Sequence, residues 1–198
     1  MSLNPEAPHI RPWSDNKKLT VINFFGGPGT GKSTTAAELF ALMKKRGHRV
    51  ELIHEIAKDY VWERWNHIFR EQDYIMAHQH RLQRRLVGHD IDYVIVDSSL
   101  ILGLFYMADD FPESFRQFLR DVYDSYTNVN FYLTRSDKFD YVQAGRNQDI
   151  NQAKMIDEQV FNYLRDNNIP TDVITAGYDA AGKALEIIEA YHPPQRKS

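Results

Sequence analysis

An α/β fold with a parallel sheet covered on both faces is what this sequence predicts. Two observations carry the expectation: short strand-like apolar runs alternate with longer amphipathic segments from Leu19 to Tyr191, and a glycine-rich turn joins the first strand to the first helix. Alternation of this kind leads to parallel strands with helical crossovers on either side.

The elements follow in order. Leu19 to Phe25 is β-branched and aromatic and is bounded by glycines, so it reads as a buried strand. Lys32 to Arg46 places Ala36, Leu39, Phe40 and Met43 at helical spacing before Gly47 stops it. Val50 to His54 is a second strand, and Asp59 to about Arg85 is helical, with a break near Glu71-Gln72. Tyr93 to Val96 is continuously apolar, as expected of a strand covered on both faces. A helical region over Leu100 to Tyr126, a strand at Val129 to Leu133 and a helix at Asn151 to Asp166 come next. A fifth strand at Thr171 to Ile174 and a helix at Ala180 to Tyr191 complete the series. Residues 1–18 read as an N-terminal arm outside the core, residues 19–191 as the single domain, and residues 192–198, with Pro193-Pro194, as a fraying tail.

Composition narrows the classes. A chain of 198 residues with 42% hydrophobic content suits one domain with a substantial core. No apolar run approaches the ~20 residues of a membrane span, so a soluble cytoplasmic protein is expected. The absence of cysteine excludes disulfides and thiolate zinc sites. A formal charge of −3 gives no global reason to expect nucleic acid, although charge can be local.

Gly26-Gly27-Pro28-Gly29-Thr30-Gly31-Lys32-Ser33, followed by Thr34, satisfies every required position of the phosphate-binding loop G-x-x-x-x-G-K-[ST], and it lies between strand and helix as that loop requires. The glycines let backbone amides wrap phosphate oxygens, and the following helix points its N-terminus at the anion. Lys32 is expected on the β- and γ-phosphates, with the Ser33 hydroxyl on magnesium. The nucleotide expected is ATP with Mg2+.

Asp97 ends the third strand and fits the magnesium shell, usually through bound water; an aspartate capping the next helix is the alternative. Glu55 follows the second strand on the side where open α/β sheets bind ligands, placed to take a proton from a hydroxyl. A helix-start acid is its other reading. Trp62 and Trp65, at i and i+3, read as core rather than as a base-stacking face. Arg81, Arg84 and Arg85, with histidines nearby, read as a solvated basic face, and His78 and His80 do not converge as metal ligands. Between the fourth strand and the next helix runs a polar segment with Arg135 and Gly145-Arg146. Arg146 first and Arg135 second are candidates for a lid cation over the phosphates; two surface arginines is the other reading. Thr134-Arg135-Ser136-Asp137 only loosely echoes a guanine-reading element, since arginine replaces its lysine and Asp97 is followed by Ser98-Ser99 rather than by D-x-x-G.

With these residues in place the chain resembles the small P-loop kinases. It resembles especially the ribosylnicotinamide-kinase domain of the bacterial NAD-biosynthesis regulator and its phage-encoded relatives, among them 5-hydroxymethyluridine DNA kinases. The likeness runs from Leu19 to Tyr191 and rests on the GGPGTGKST loop, the segment Glu55 to Tyr60 (EIAKDY), the Asp97-terminated strand and Gly145-Arg146. The resemblance implies a P-loop three-layer sandwich of nucleoside- and nucleotide-kinase type, built on a five-stranded parallel sheet. It implies an ATP donor bound by Gly26 to Ser33, Asp97 serving metal or acceptor, and Arg146 in a lid. The acceptor hydroxyl belongs to a nucleoside-like partner, either a free nucleoside such as nicotinamide riboside or 5-hydroxymethyluridine in phage DNA. The bacterial kinase's companion nucleotidyltransferase domain has no counterpart in this sequence, so both acceptors stay open. The competing function is a P-loop ATPase or switch module that couples hydrolysis to a partner.

Overall fold

The computed structural model describes residues 12–137, 140–142 and 148–191. Five parallel strands form one sheet: β1 (Thr20–Phe25), β2 (Val50–Ile53), β3 (Tyr93–Val96), β4 (Thr127–Thr134) and β5 (Asp172–Thr175), in the order β2-β3-β1-β4-β5. β1 is central, paired with β3 on one side and β4 on the other. The chain therefore reverses its direction of travel across the sheet at β1, and the crevice for a ligand opens beyond the carboxyl end of that strand.

The alternation of β1 explains the layers. Ile22 and Phe24 face α1 (Lys32–Lys45) and α6 (Ala180–Tyr191), through Ala36, Leu39, Met43, Ala184 and Ile188. Val21 and Phe25 point the other way, into a core completed by α3 (Gln72–Arg84), α4 (Glu113–Asp124) and α5 (Ile150–Asp166). The three-layer sandwich follows from a sheet with two apolar faces, neither of which can be left to water. Among the described residues no helix is long and apolar enough to cross a membrane.

Four expectations need correction. The helix expected from Asp59 to about Arg85 is three pieces: α2 (Ile56–Trp62), a 3-10 turn at Asn66–Arg70, and α3. The chain breaks at Arg64, which adopts φ +60, as well as at Glu71. Trp62 and Trp65 are thus not on one helix face, and instead of core they are 61% and 51% exposed. The region Leu100 to Tyr126 divides into a 3-10 turn (Leu100–Phe105) and α4, because Pro112 stands in extended backbone at the α4 N-cap. Finally, the last part of the N-terminal arm belongs to the core: Trp13–Lys18 is a 3-10 turn in which Asn16 is fully buried and donates to Ser125 Oγ at 2.9 Å. Lys17 donates to the Tyr126 carbonyl at 2.8 Å, and the Arg84 guanidinium lies over the Trp13 ring, so one member of the basic cluster is a tether.

Candidate active site

The loop between β1 and α1 supplies the first wall. Gly26, Gly29 and Gly31 adopt positive φ (132°, 78° and 93°), and Gly31 is the N-cap of α1. This curls the loop over the helix N-terminus, with amides available to an anion. Lys32 turns back across the loop, its ammonium donating to the Gly26 carbonyl at 2.8 Å and the Gly27 carbonyl at 2.9 Å. Burial lowers the Lys32 pKa, against the pull of the Glu55, Asp97 and Asp157 carboxylates, which favour the charged form.

Strands β2 and β3 deliver the acids. Glu55 is the N-cap residue of α2, yet its side chain does not cap the helix; the nearby Ser98 hydroxyl favours its charged form, and it lines the same cavity as Lys32. Burial, with a further contribution from the Asp97 charge, raises its pKa above the usual carboxylate range, while Lys32 pulls the other way. Asp97 is 3% exposed, and burial raises its pKa too, against the nearby Ser33 hydroxyl, which favours the charged form. Its Oδ1 has no hydrogen-bond partner among the described residues. A buried carboxylate oxygen left over, beside a loop hydroxyl, is a hard-oxygen pair that fits a magnesium ion. Among the described residues no group of three or more acidic or histidine side chains could enclose a metal. An ion here would take its remaining ligands from phosphate and water, as magnesium prefers.

Sequence reasoning missed Asp157, two turns into α5. Its carboxylate accepts from the Gly27 amide through Oδ1 and from Arg135 Nε through Oδ2, each at 2.5 Å. Arg135 also donates to the Pro28 carbonyl at 2.6 Å and lies under the Tyr141 ring. Arg135 is therefore a cation fixed against the phosphate loop rather than one that swings in. Arg146 and its neighbour Gly145 lie outside the described residues. A capping box at the start of α5, Asp149 with Gln152, holds the register that presents Asp157. No local pattern marks an aspartate in mid-helix as the partner of a loop over a hundred residues away.

Beyond Glu55 the cavity of about 420 Å3 continues into a chamber walled by Val61, Phe69, Ile75, Met76, Leu102 and Tyr106. Two glutamines of α3, Gln72 and Gln79, share this wall. They belong to a buried stripe, Gln72, Met76, Gln79 and Gln83, where a soluble helix ordinarily puts aliphatic side chains. That stripe was legible as a departure from helical patterning, and the sequence reading passed over it.

The comparisons fit this geometry. The AAA domain family matches residues 21–180, most of the chain and all of the site just described. The chain belongs to that family. No curated protein matches it. This AAA domain is similar in fold to NadR, solved in complex with NAD and AMP-PNP, with a TM-score of 0.62 and 12% identity. The likeness covers 94% of this chain, which spans 52% of the NadR chain. Weaker likenesses are deoxyadenosine kinase from M. mycoides (TM-score 0.48, 16% identity, covering 86% of this chain and 97% of that one) and the Mycobacterium tuberculosis APS kinase CysC (0.46, 13%, 88% and 98%).

The loop's motif leaves Gly27 free to vary, but this domain does not. A Cβ there would stand 2.5 Å from the Ala153 carbonyl and 2.7 Å from Asp157 Oδ1. Gly27→Ala is expected to push the loop off α5 and weaken AMP-PNP binding by more than ~10-fold, about 1.4 kcal/mol, measured by calorimetry. Gly182→Ala meets nothing within 4 Å on a helix. It should leave binding unchanged and raise stability by ~0.5–1 kcal/mol. Equal binding by the two variants would contradict this packing.

Proposed function

We propose that this protein transfers the γ-phosphoryl group of magnesium-bound ATP to a hydroxyl of a nucleoside-like acceptor. The observation that carries the reading is one continuous cavity, partly open to solvent, that is lined by Lys32, Ser33 and Glu55 and by a chamber of aromatic, aliphatic and amide side chains. A module that only hydrolyses ATP needs a water at the γ-phosphate and has no use for such a chamber. The likeness of fold to a protein solved with AMP-PNP supports the donor.

In this mechanism the loop amides and Lys32 hold the β- and γ-phosphate oxygens, and Arg135 adds positive charge at the loop's far side. Ser33 and Asp97 are the residues that would hold magnesium, which when bound neutralises charge on the β- and γ-phosphates. The acceptor hydroxyl, seated beside Glu55, attacks the γ-phosphorus in line. A bond forms from its oxygen to phosphorus while the bond to the β,γ-bridging oxygen breaks, so ADP leaves with the electron pair. The hydroxyl proton passes to the Glu55 carboxylate. The acceptor stays within two kinds, a free nucleoside such as nicotinamide riboside or a 5-hydroxymethyluridine in DNA.

The test is transfer of labelled γ-phosphate from ATP to nicotinamide riboside, to deoxynucleosides and to DNA containing 5-hydroxymethyluracil. Lys32→Ala should cut transfer by on the order of 10²–10³-fold, as for loss of one aimed cationic donor, with circular dichroism unchanged. Near wild-type turnover in that variant would remove the phosphate site assigned here.

Protonation gives a second outcome. Because burial raises the Glu55 pKa, its base form is lost as pH falls through a value above the ordinary carboxylate range. The acid limb of kcat/KM, which reports the free enzyme, should therefore lie above that range, with activity falling on its low-pH side. Glu55→Gln should abolish that limb and slow transfer by ~10²–10⁴-fold while AMP-PNP still binds. A variant that keeps both the limb and the rate would assign the base to Asp97.

A further inference from the structure

The buried stripe of α3 points to what the chamber selects, an inference that rests on the kinase reading above. Gln79 is 6% exposed and Ser99 is 2% exposed, and both line the cavity. Gln79 Nε2 and Ser99 Oγ have no hydrogen-bond partner among the described residues. The long contact of Gln79 Oε1 with the backbone amide of Ile56, at 3.5 Å, assigns Nε2 as the unpaired end of the amide. What Gln79 holds unpaired in the chamber wall is therefore an N–H donor. Gln72 differs from it, because its Nε2 already donates one of its two N–H groups to the Phe69 carbonyl at 2.9 Å.

The surroundings define the complementary ligand. The α3 wall, Gln72, Ile75, Met76 and Gln79, carries no charge, so recognition along it falls to hydrogen bonds and apolar contact rather than to an ion pair. Phe69 and Tyr106 offer ring faces, which favour a flat partner. A donor that is buried, neutral and singly available is satisfied by a carbonyl oxygen. We propose that Gln79 is the specificity-determining residue of the acceptor chamber, and that it takes a planar ring bearing a carbonyl, with Ser99 as a second hydrogen-bonding contact. A pyrimidine-dione base and a ring carboxamide share this chemistry. The same side chain also holds the first turn of α2, next to Glu55, so the group that reads the ring is attached to the segment that carries the proposed base.

The experiment compares kcat/KM, by ADP release, for acceptors with and without the carbonyl. The carbonyl-bearing arms are nicotinamide riboside, 5-hydroxymethyldeoxyuridine and an oligonucleotide containing 5-hydroxymethyluracil, which separate the two sources. The carbonyl-free arms are pyridinium riboside and purine riboside. Wild-type protein should favour at least one carbonyl-bearing acceptor by on the order of 10- to 100-fold, because a buried donor left unpaired is costly. Gln79→Glu, which turns the donor into an acceptor, and Gln79→Leu, which removes it, should each erase that preference with AMP-PNP affinity intact. Equal use of carbonyl-free ribosides by the wild type would overturn the inference and leave the kinase reading standing, and this comparison needs no variant to fold. An unchanged preference in Gln79→Glu would do the same. If the wild type binds AMP-PNP but phosphorylates no member of the panel, the kinase reading falls and the inference falls with it.

Discussion

The site depends on an ammonium group taken out of water. Lys32 is held at the foot of β1 by two carbonyls of its own loop, and burial works against its charge. Neutral carbonyls orient an ammonium without neutralising it, and the nearby Glu55, Asp97 and Asp157 carboxylates supply field at a distance. A phosphate placed between the loop amides and Lys32 would provide the missing counter-charge at contact. Burial strengthens that interaction, because low local dielectric raises the energy of close opposite charges.

The same economy runs through the rest of the cavity. Asp97 Oδ1, Ser99 Oγ and Gln79 Nε2 are buried without partners among the described residues. Each such group costs roughly 1–3 kcal/mol relative to a satisfied one, a large fraction of the ~5–15 kcal/mol by which a domain is stable. Two of these residues, Gln79 and Ser99, line the cavity and Asp97 adjoins the lining residue Ser98 in sequence, whereas Gln83 Nε2, also unpaired, belongs to a residue outside that lining. At the cavity wall such groups are ones that a bound ligand would satisfy. A network of polar side chains elsewhere is satisfied by contrast: Asn23 of β1 donates to Asn128 and Asn130 of β4, and Tyr123 donates to Asn130.

How much of this was legible in the sequence follows from the range of the interactions. The phosphate loop, the five strands and the placement of Glu55 and Asp97 at strand ends are local in sequence, and hydrophobic periodicity with one glycine pattern is enough to read them. β4 begins earlier than its apolar run because Asn128 and Asn130 are satisfied within the sheet, which composition alone does not show. The long helix expected from Asp59 failed because a left-handed Arg64 ends α2, a conformation that ordinary propensity does not anticipate. Asp157 was invisible for a different reason: it meets Gly27 across 130 residues of chain, and only the packing of α5 on the loop brings them together. Gln79 lay between, since its position on a helical stripe was readable but its unpaired amide was not.

The most direct measurement is a crystal structure of the protein with AMP-PNP and magnesium. The account predicts that Lys32 Nζ leaves the Gly26 and Gly27 carbonyls for the β- and γ-phosphate oxygens, and that Asp97 Oδ1 gains a metal-bound water. It predicts the γ-phosphate at the mouth of the chamber, facing Glu55. Phosphates bound elsewhere, with Lys32 still on its loop carbonyls, would contradict it.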